Sequence, residues 1–139
     1  MPFVKVWIHF VWSTKNRGPY LTKEIRNQVF RHIRENAKEK GIYVDFINGH
    51  IDYVHCLISL GSDQNLSKVM QLIKGESAFW INKNNLCSGK FEWQDKYFAV
   101  SVSESMLNKV RDYIKNQEAH HQLKSYEEKQ EDFKRIYVF

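Results

Sequence analysis

The chain has 139 residues, 42% of them hydrophobic and 14% aromatic, which is enough for one compact domain with a real core and too few for two ordinary ones. Lys and Arg outnumber Asp and Glu by 21 to 16, a net charge of +5 that favours a polyanionic partner without proving one. Two cysteines, Cys56 and Cys87, make no disulfide framework, no apolar run approaches the roughly 20 residues a bilayer requires, and no opening segment has signal-peptide character, so the chain reads as intracellular, cytoplasmic and without a membrane role.

In chain order, FVKVWIHFVWST is rich in Val, Ile, Phe and Trp and predicts a largely buried strand over about residues 3 to 13. The TKNRGPYLT that follows carries turn chemistry and two cations, Lys15 and Arg17. From Thr22, an N-cap residue type, Ile25, Val29, Ile33 and Ala37 recur at helical spacing up to Gly41, which suits a C-terminal stop. The outer side of that helix offers Lys23, Arg26, Arg31, Arg34 and Lys38, most simply a solvated face. IYVDFIN, residues 42 to 48, predicts a second strand, and Gly49-His50 turns into a third over about 51 to 60, making a hairpin. After GSDQN, Leu66, Val69, Met70, Ile73 and Trp80 share one face of a helix that ends near NKNNLCSG, a stripe most simply read as core. KYFAVSV predicts a fourth strand over about 96 to 102, and a third major helix runs from Ser103 or Ser105 to about His121. The charged SYEEKQEDFKR and the closing IYVF predict a short helix and a docking tail over about 122 to 139, outside a core of about 3 to 121.

The first six elements match a ferredoxin-like β-α-β-β-α-β arrangement: an α+β fold with an antiparallel sheet covered by helices on one face. The other face needs a cover, which the extra C-terminal helix or a partner chain would supply. One stretch of the third strand, Tyr53-Val54-His55, sends its two outer side chains to the same face, the geometry of a two-ligand metal clamp had residue 53 been histidine. On the last helix Leu107, Val110 and Ile114 form the apolar stripe of a docked element, and Tyr113, Gln117 and His120 line up beside it at spacings of four and three. Taken alone, that second stripe is more often a packed tyrosine with polar neighbours than a catalytic group.

Together these segments resemble the single-tyrosine HUH transposases of small bacterial insertion sequences and their REP-associated relatives. HFVWSTKNRGPYLT, GHIDYVHCLISL, LSKVMQLIKGESAFWIN, FEWQDKYFAVSVSES and VRDYIKNQEAHH are similar to the family's patterns in order and spacing over about residues 8 to 125. The resemblance implies a homodimer acting on single-stranded DNA folded into hairpins near the element ends. Tyr113 then matches the nucleophile that becomes joined to a 5′ phosphate, leaving a free 3′ hydroxyl that later attacks the bond and rejoins strands. His55 matches the second histidine of the HUH motif and Gln117 the third metal ligand. Neutral imidazole and amide oxygen suit Mg²⁺ or Mn²⁺ when phosphate oxygens and water complete the shell. DNA contact is expected from Lys15, Arg17 and the first helix, with Trp or Tyr side chains for stacking; core is the default for at least half of Trp7, Trp12, Trp80 and Trp93.

The departure from the family pattern is Tyr53, a degenerate ligand position in the metal set. Deprotonating a phenol at neutral pH costs about three pKa units, roughly 4 kcal/mol, so Tyr53 is a poor ligand and is expected to impair the activity. Strand alternation sends Asp52 to the opposite face unless a bulge intervenes. His9 and His50 are conceivable substitutes, each read first as a structural or surface histidine. Tyr53 as the nucleophile is disfavoured because it would sit too close to the ion, and a zinc centre of His55, Cys56, His120 and His121 because Cys56 faces away from His55. The alternative function is a catalytically inactive or domesticated DNA-hairpin-binding protein; a third is a small ligand-binding or assembly module of the same fold.

Overall fold

The computed structural model describes residues 3–117. The β-branched and aromatic runs form β1 (Val6–Thr14), β2 (Tyr43–Gly49), β3 (Tyr53–Leu60) and β4 (Trp93–Val102), and the periodic segments form α1 (Lys23–Glu39), α2 (Leu66–Lys83) and α3 (Leu107–Lys115). The four strands make one sheet in the order β2-β3-β1-β4, and each neighbouring pair is antiparallel. This is the ferredoxin-like arrangement with the additional helix that carries Tyr113. The expected extension of that helix to His121 and the charged tail over 122 to 139 lie outside the described residues.

Alternation along the strands divides the molecule. Ile8, Phe10, Trp12, Val54, Cys56 and Ile58 point to one side and pack with Val29, Phe30 and Ile33 of α1 and Val69, Met70, Ile73 and Ile81 of α2, all buried. Trp7 and Leu57 point the other way and pack under Leu107, Val110 and Ile114, so α3 supplies the cover that the second face required. Gly41 sits just past α1 at a φ of +74°, the left-handed conformation that a helix stop uses and a Cβ disfavours.

Four local expectations change. β4 begins at Trp93 rather than near 96, because the Trp93 indole N–H is anchored on the buried Ser77 hydroxyl at 2.9 Å. Leu66 is partly exposed while Ser77 and Ile81 are buried, and Trp80 lies at the margin, stacked on His32 at 4.0 Å between ring centres. Arg26 is buried rather than on the solvated face; its guanidinium donates to the Leu21 carbonyl at 3.3 Å. The stretch after β4 opens as a 3-10 turn over Glu104–Met106 before α3 begins at Leu107.

Candidate active site

The hairpin between β2 and β3 sets the position of Tyr53. Gly49 pairs with Val54, and a Cβ on Gly49 would lie 2.1 Å from the Tyr53 carbonyl oxygen, so only glycine permits the close approach. The turn closes when the His50 N–H donates to that same carbonyl at 3.0 Å. From there Tyr53 and His55 both point toward the α3 face, as the two-residue repeat requires, and both are buried. Cys56 points the opposite way into the core under α1 and α2, where burial pushes its thiol well above the usual range. That orientation removes it from any ligand set with His55, as strand alternation predicts.

Register then brings in a residue from β1. Val11 lies opposite His55 and His9 opposite Leu57, so His9 and His55 are diagonal neighbours on the same face. Nε2 of His9 and Nδ1 of His55 are 2.9 Å apart, and both rings are buried. Burial pushes the His9 imidazole down to about 3, which keeps it neutral at neutral pH. The Tyr113 ring covers the pair edge-on, 5.5 Å from the His55 ring centre and 6.3 Å from that of His9. Tyr53 flanks His55 at 5.5 Å, and His50 stacks beyond Tyr53 at 6.4 Å.

Two devices dock the helix that holds Tyr113. A bulge in β2 between Val44 and Phe46 lets Asp45 and Phe46 both serve the α3 side: Phe46 packs against the Leu57 and Val110 cluster. The Asp45 carboxylate accepts two bonds from Arg111, at 2.7 and 3.3 Å. Immediately after Tyr113, the Asn48 side-chain amide donates to the carbonyls of Ile114 and Lys115, both at 3.1 Å, satisfying groups that a helix end leaves without intrahelical partners. Asn48 lies opposite His55 in the sheet, so it ties the helix end to the strand that carries the histidine. Gln117 is buried just after α3 and its amide nitrogen donates to the Tyr113 carbonyl at 2.7 Å. Tyr113 and Gln117 are thus held over the sheet of their own chain.

Two imidazoles lie side by side near an amide whose oxygen has ligand chemistry; donors of these types suit a divalent ion that completes its shell with phosphate and water. Among the described residues no cluster of three His, Cys, Asp or Glu side chains is placed to hold a metal. The amide and the substrate would therefore have to supply what further carboxylates or imidazoles supply elsewhere.

The two cations expected to meet DNA have different surroundings. Lys15 is paired with Glu92 at 2.8 Å, which raises its pKa and lowers that of Glu92. Arg17 is exposed, on a 3-10 turn in which Asn16 and Arg17 both adopt positive φ, near 54° and 53°. The surface cleft beside Lys15 carries Lys74 but also Glu92 and Asp95, so its charge is balanced. Trp7, Trp12 and Trp93 are buried, which leaves Trp80 as the half-buried tryptophan.

Sequence reasoning set His9 aside and missed Asp45 and Asn48. The alternation of Trp7, His9 and Val11 against Ile8, Phe10 and Trp12 was visible, but only the β1–β3 register shows that His9 reaches His55.

The family described as "Transposase IS200 like" matches residues 3–117. The chain is 27% identical over 115 residues to the ISDra2 transposase TnpA of Deinococcus radiodurans, an alignment covering 78% of this chain and 81% of that protein. A crystal structure from D. radiodurans R1, described as a candidate transposase, superposes with a TM-score of 0.68 at 26% identity over 84% of this chain and 93% of the other. A REP-associated tyrosine transposase bound to a REP hairpin superposes with a TM-score of 0.66 at 18% identity, over 87% of this chain and 72% of the other, which speaks for the fold. No helix among the described residues is long and apolar enough to cross a membrane.

Proposed function

The chain belongs to the IS200-like transposase family, whose activity is DNA cleavage and strand transfer in transposition, and on that premise we propose that Tyr113 is its nucleophile. The observation that carries this reading is the seating of the Tyr113 ring over the buried His9–His55 pair, on a helix fixed by Asn48 and Asp45. The Tyr113 oxygen attacks a phosphorus of single-stranded DNA; the bond to the 3′ oxygen breaks as the new P–O bond forms. The phenolic proton leaves to solvent and the departing 3′ oxygen gains one, giving a 5′-phosphotyrosine and a 3′ hydroxyl. Reversal by a 3′ hydroxyl rejoins strands without an external energy source, because the phosphodiester count is unchanged.

The helix supplies orientation. A phenol with an ordinary pKa near 10 reacts at neutral pH only when held close to in-line with its target, and the fixed α3 restricts that approach before substrate binds. His55 and Gln117 would hold Mg²⁺ or Mn²⁺, with Tyr53 standing at the degenerate ligand position beside them. A bound divalent ion draws charge from the phosphate and steadies the leaving oxygen. Substrate is single-stranded DNA with hairpin ends, a reading supported by the resemblance and by the hairpin-bound neighbour. Arg17 and Lys15 contact the phosphates, Lys15 exchanging its Glu92 partner for them. The same resemblance supports a homodimer.

Covalent capture tests the reading. Wild-type protein with Mn²⁺ and a single-stranded oligonucleotide bearing its own element's end should give an adduct that survives denaturing electrophoresis, and Tyr113→Phe should give none. Absence of any wild-type adduct would sink the proposal. Tyr53→His should raise both Mn²⁺ affinity and adduct yield, and no gain in either would remove ligand loss as the effect of residue 53. The substitution at residue 53 also favours one alternative, a non-catalytic hairpin-binding protein. That protein would bind hairpins in a salt-dependent way, unchanged by Tyr113→Phe and without cleavage.

A further inference from the structure

A motif that has lost its first histidine would leave His55 as the only imidazole on its strand. The neighbouring strand changes that count. His9 and His55 present Nε2 and Nδ1 to each other at 2.9 Å. Two donors about 2.1 Å from one octahedral ion at right angles to each other stand about 3.0 Å apart. The separation of the two nitrogens is therefore already that of neighbouring ligands, on two hydrogen-bonded strands whose register fixes it.

We propose that His9 supplies the ligand that residue 53 lacks, so that the metal clamp of this chain spans β1 and β3 as His9 and His55 in place of two alternate residues of one strand. The inference rests on the metal-dependent reading above. As drawn, one of the two nitrogens carries the hydrogen between them. Moving that hydrogen to the far nitrogen of its own ring frees both lone pairs without net proton release, and a rotation of the two rings away from the line between their nitrogens then aims both at one ion. The clamp lies beneath the Tyr113 ring, which is within 6.3 Å of both imidazole centres. Tyr53 then fills the place of the absent histidine and flanks His55 with its ring at 5.5 Å.

The competing account is that His9 only orients His55 through the same hydrogen bond. Affinity does not separate the two, because losing an orienting partner also weakens metal binding by about 10- to 100-fold. The number of nitrogens bound to the ion does. Electron spin-echo modulation of Mn²⁺ bound to the unmodified protein should show two coupled imidazole nitrogens. His9→Gln should show one, and His9→Gln combined with Tyr53→His should return to two. A single coupled nitrogen in the unmodified protein, or a count that His9→Gln leaves unchanged, would overturn the clamp, as would the lack of any Mn²⁺ binding. The decisive count needs no substitution, so misfolding of a variant does not remove the test. An adduct on Tyr113 alongside a one-nitrogen spectrum would defeat the clamp and leave the proposed function intact. A two-nitrogen spectrum without any adduct would do the reverse.

Discussion

The two faces of the sheet are built from the same strands and diverge at every second residue. On the face under α1 and α2, Phe10, Trp12, Val54, Cys56 and Ile58 make an apolar layer whose contribution is burial. On the face under α3, the intervening positions hold His9, Tyr53 and His55, equally buried but carrying ring nitrogens and a phenol. Equal burial with opposite chemistry shows that exposure did not decide where the candidate site lies. What decided it is the helix on top: α1 and α2 offer hydrocarbon, whereas α3 brings Tyr113 and Gln117 at its far end after an apolar start at Leu107 and Val110.

The comparison is most sharply tested by substitutions of matched kind. Tyr113→Phe removes one oxygen from the α3 face and should abolish the DNA adduct completely, while its denaturation midpoint moves by less than about 1 kcal/mol of stability. Phe10→Ala on the opposite face should do the converse. It should cost about 3–5 kcal/mol in urea unfolding, because a fully buried ring leaves a cavity between the sheet and the two helices. Protein that remains folded should still form adduct. If Phe10→Ala lost chemistry in proportion to nothing but its folded fraction, the division would hold; a specific loss beyond that would join the faces.

Asn48→Ala comes next. Its two bonds to the end of α3 are worth about 1 kcal/mol each at most, since the freed carbonyls can turn to water. The change should appear locally, as faster amide exchange in α3 and a several-fold slower adduct yield, with α1 and α2 amides unaffected. Uniform acceleration in all three helices would show that α3 is not a separately docked unit.

Much of this division was open to inspection in the sequence. Among the described residues the periodicities located the four strands and the three α-helices, and alternation alone placed Cys56 away from His55. The resemblance in YIKNQ and DYVH points to Tyr113, Gln117 and His55 as the candidate site. The remaining features depend on pairing, which a single sequence does not state. His9 needs the β1–β3 register, Asp45 needs a bulge that breaks the two-residue repeat, and Asn48 needs the end of a helix 66 residues away in the chain. Lys15 needs Glu92, 77 residues distant, before its charge is seen to be engaged.

The smallest expected effect concerns the two thiols, and it tests how well the helical face is sealed. Cys56 is wholly buried between the sheet and the helices, and burial pushes its thiol far from reactivity. Cys87 lies partly exposed beyond α2, with its sulfur 3.7 Å from the Tyr20 carbonyl oxygen and its pKa raised only by partial burial. A thiol reagent at mildly alkaline pH should therefore modify one cysteine of the native protein, identified by mass spectrometry as Cys87. Cys56 should react only as fast as the protein opens, so its rate should rise in Phe10→Ala, whose greater open population exposes it, and stay unchanged in Asn48→Ala, whose effect is confined to α3. Reaction of both thiols at similar rates in the native protein would mean that the layer under α1 and α2 breathes as freely as the surface, and the contrast between a sealed face and a chemical one would fail.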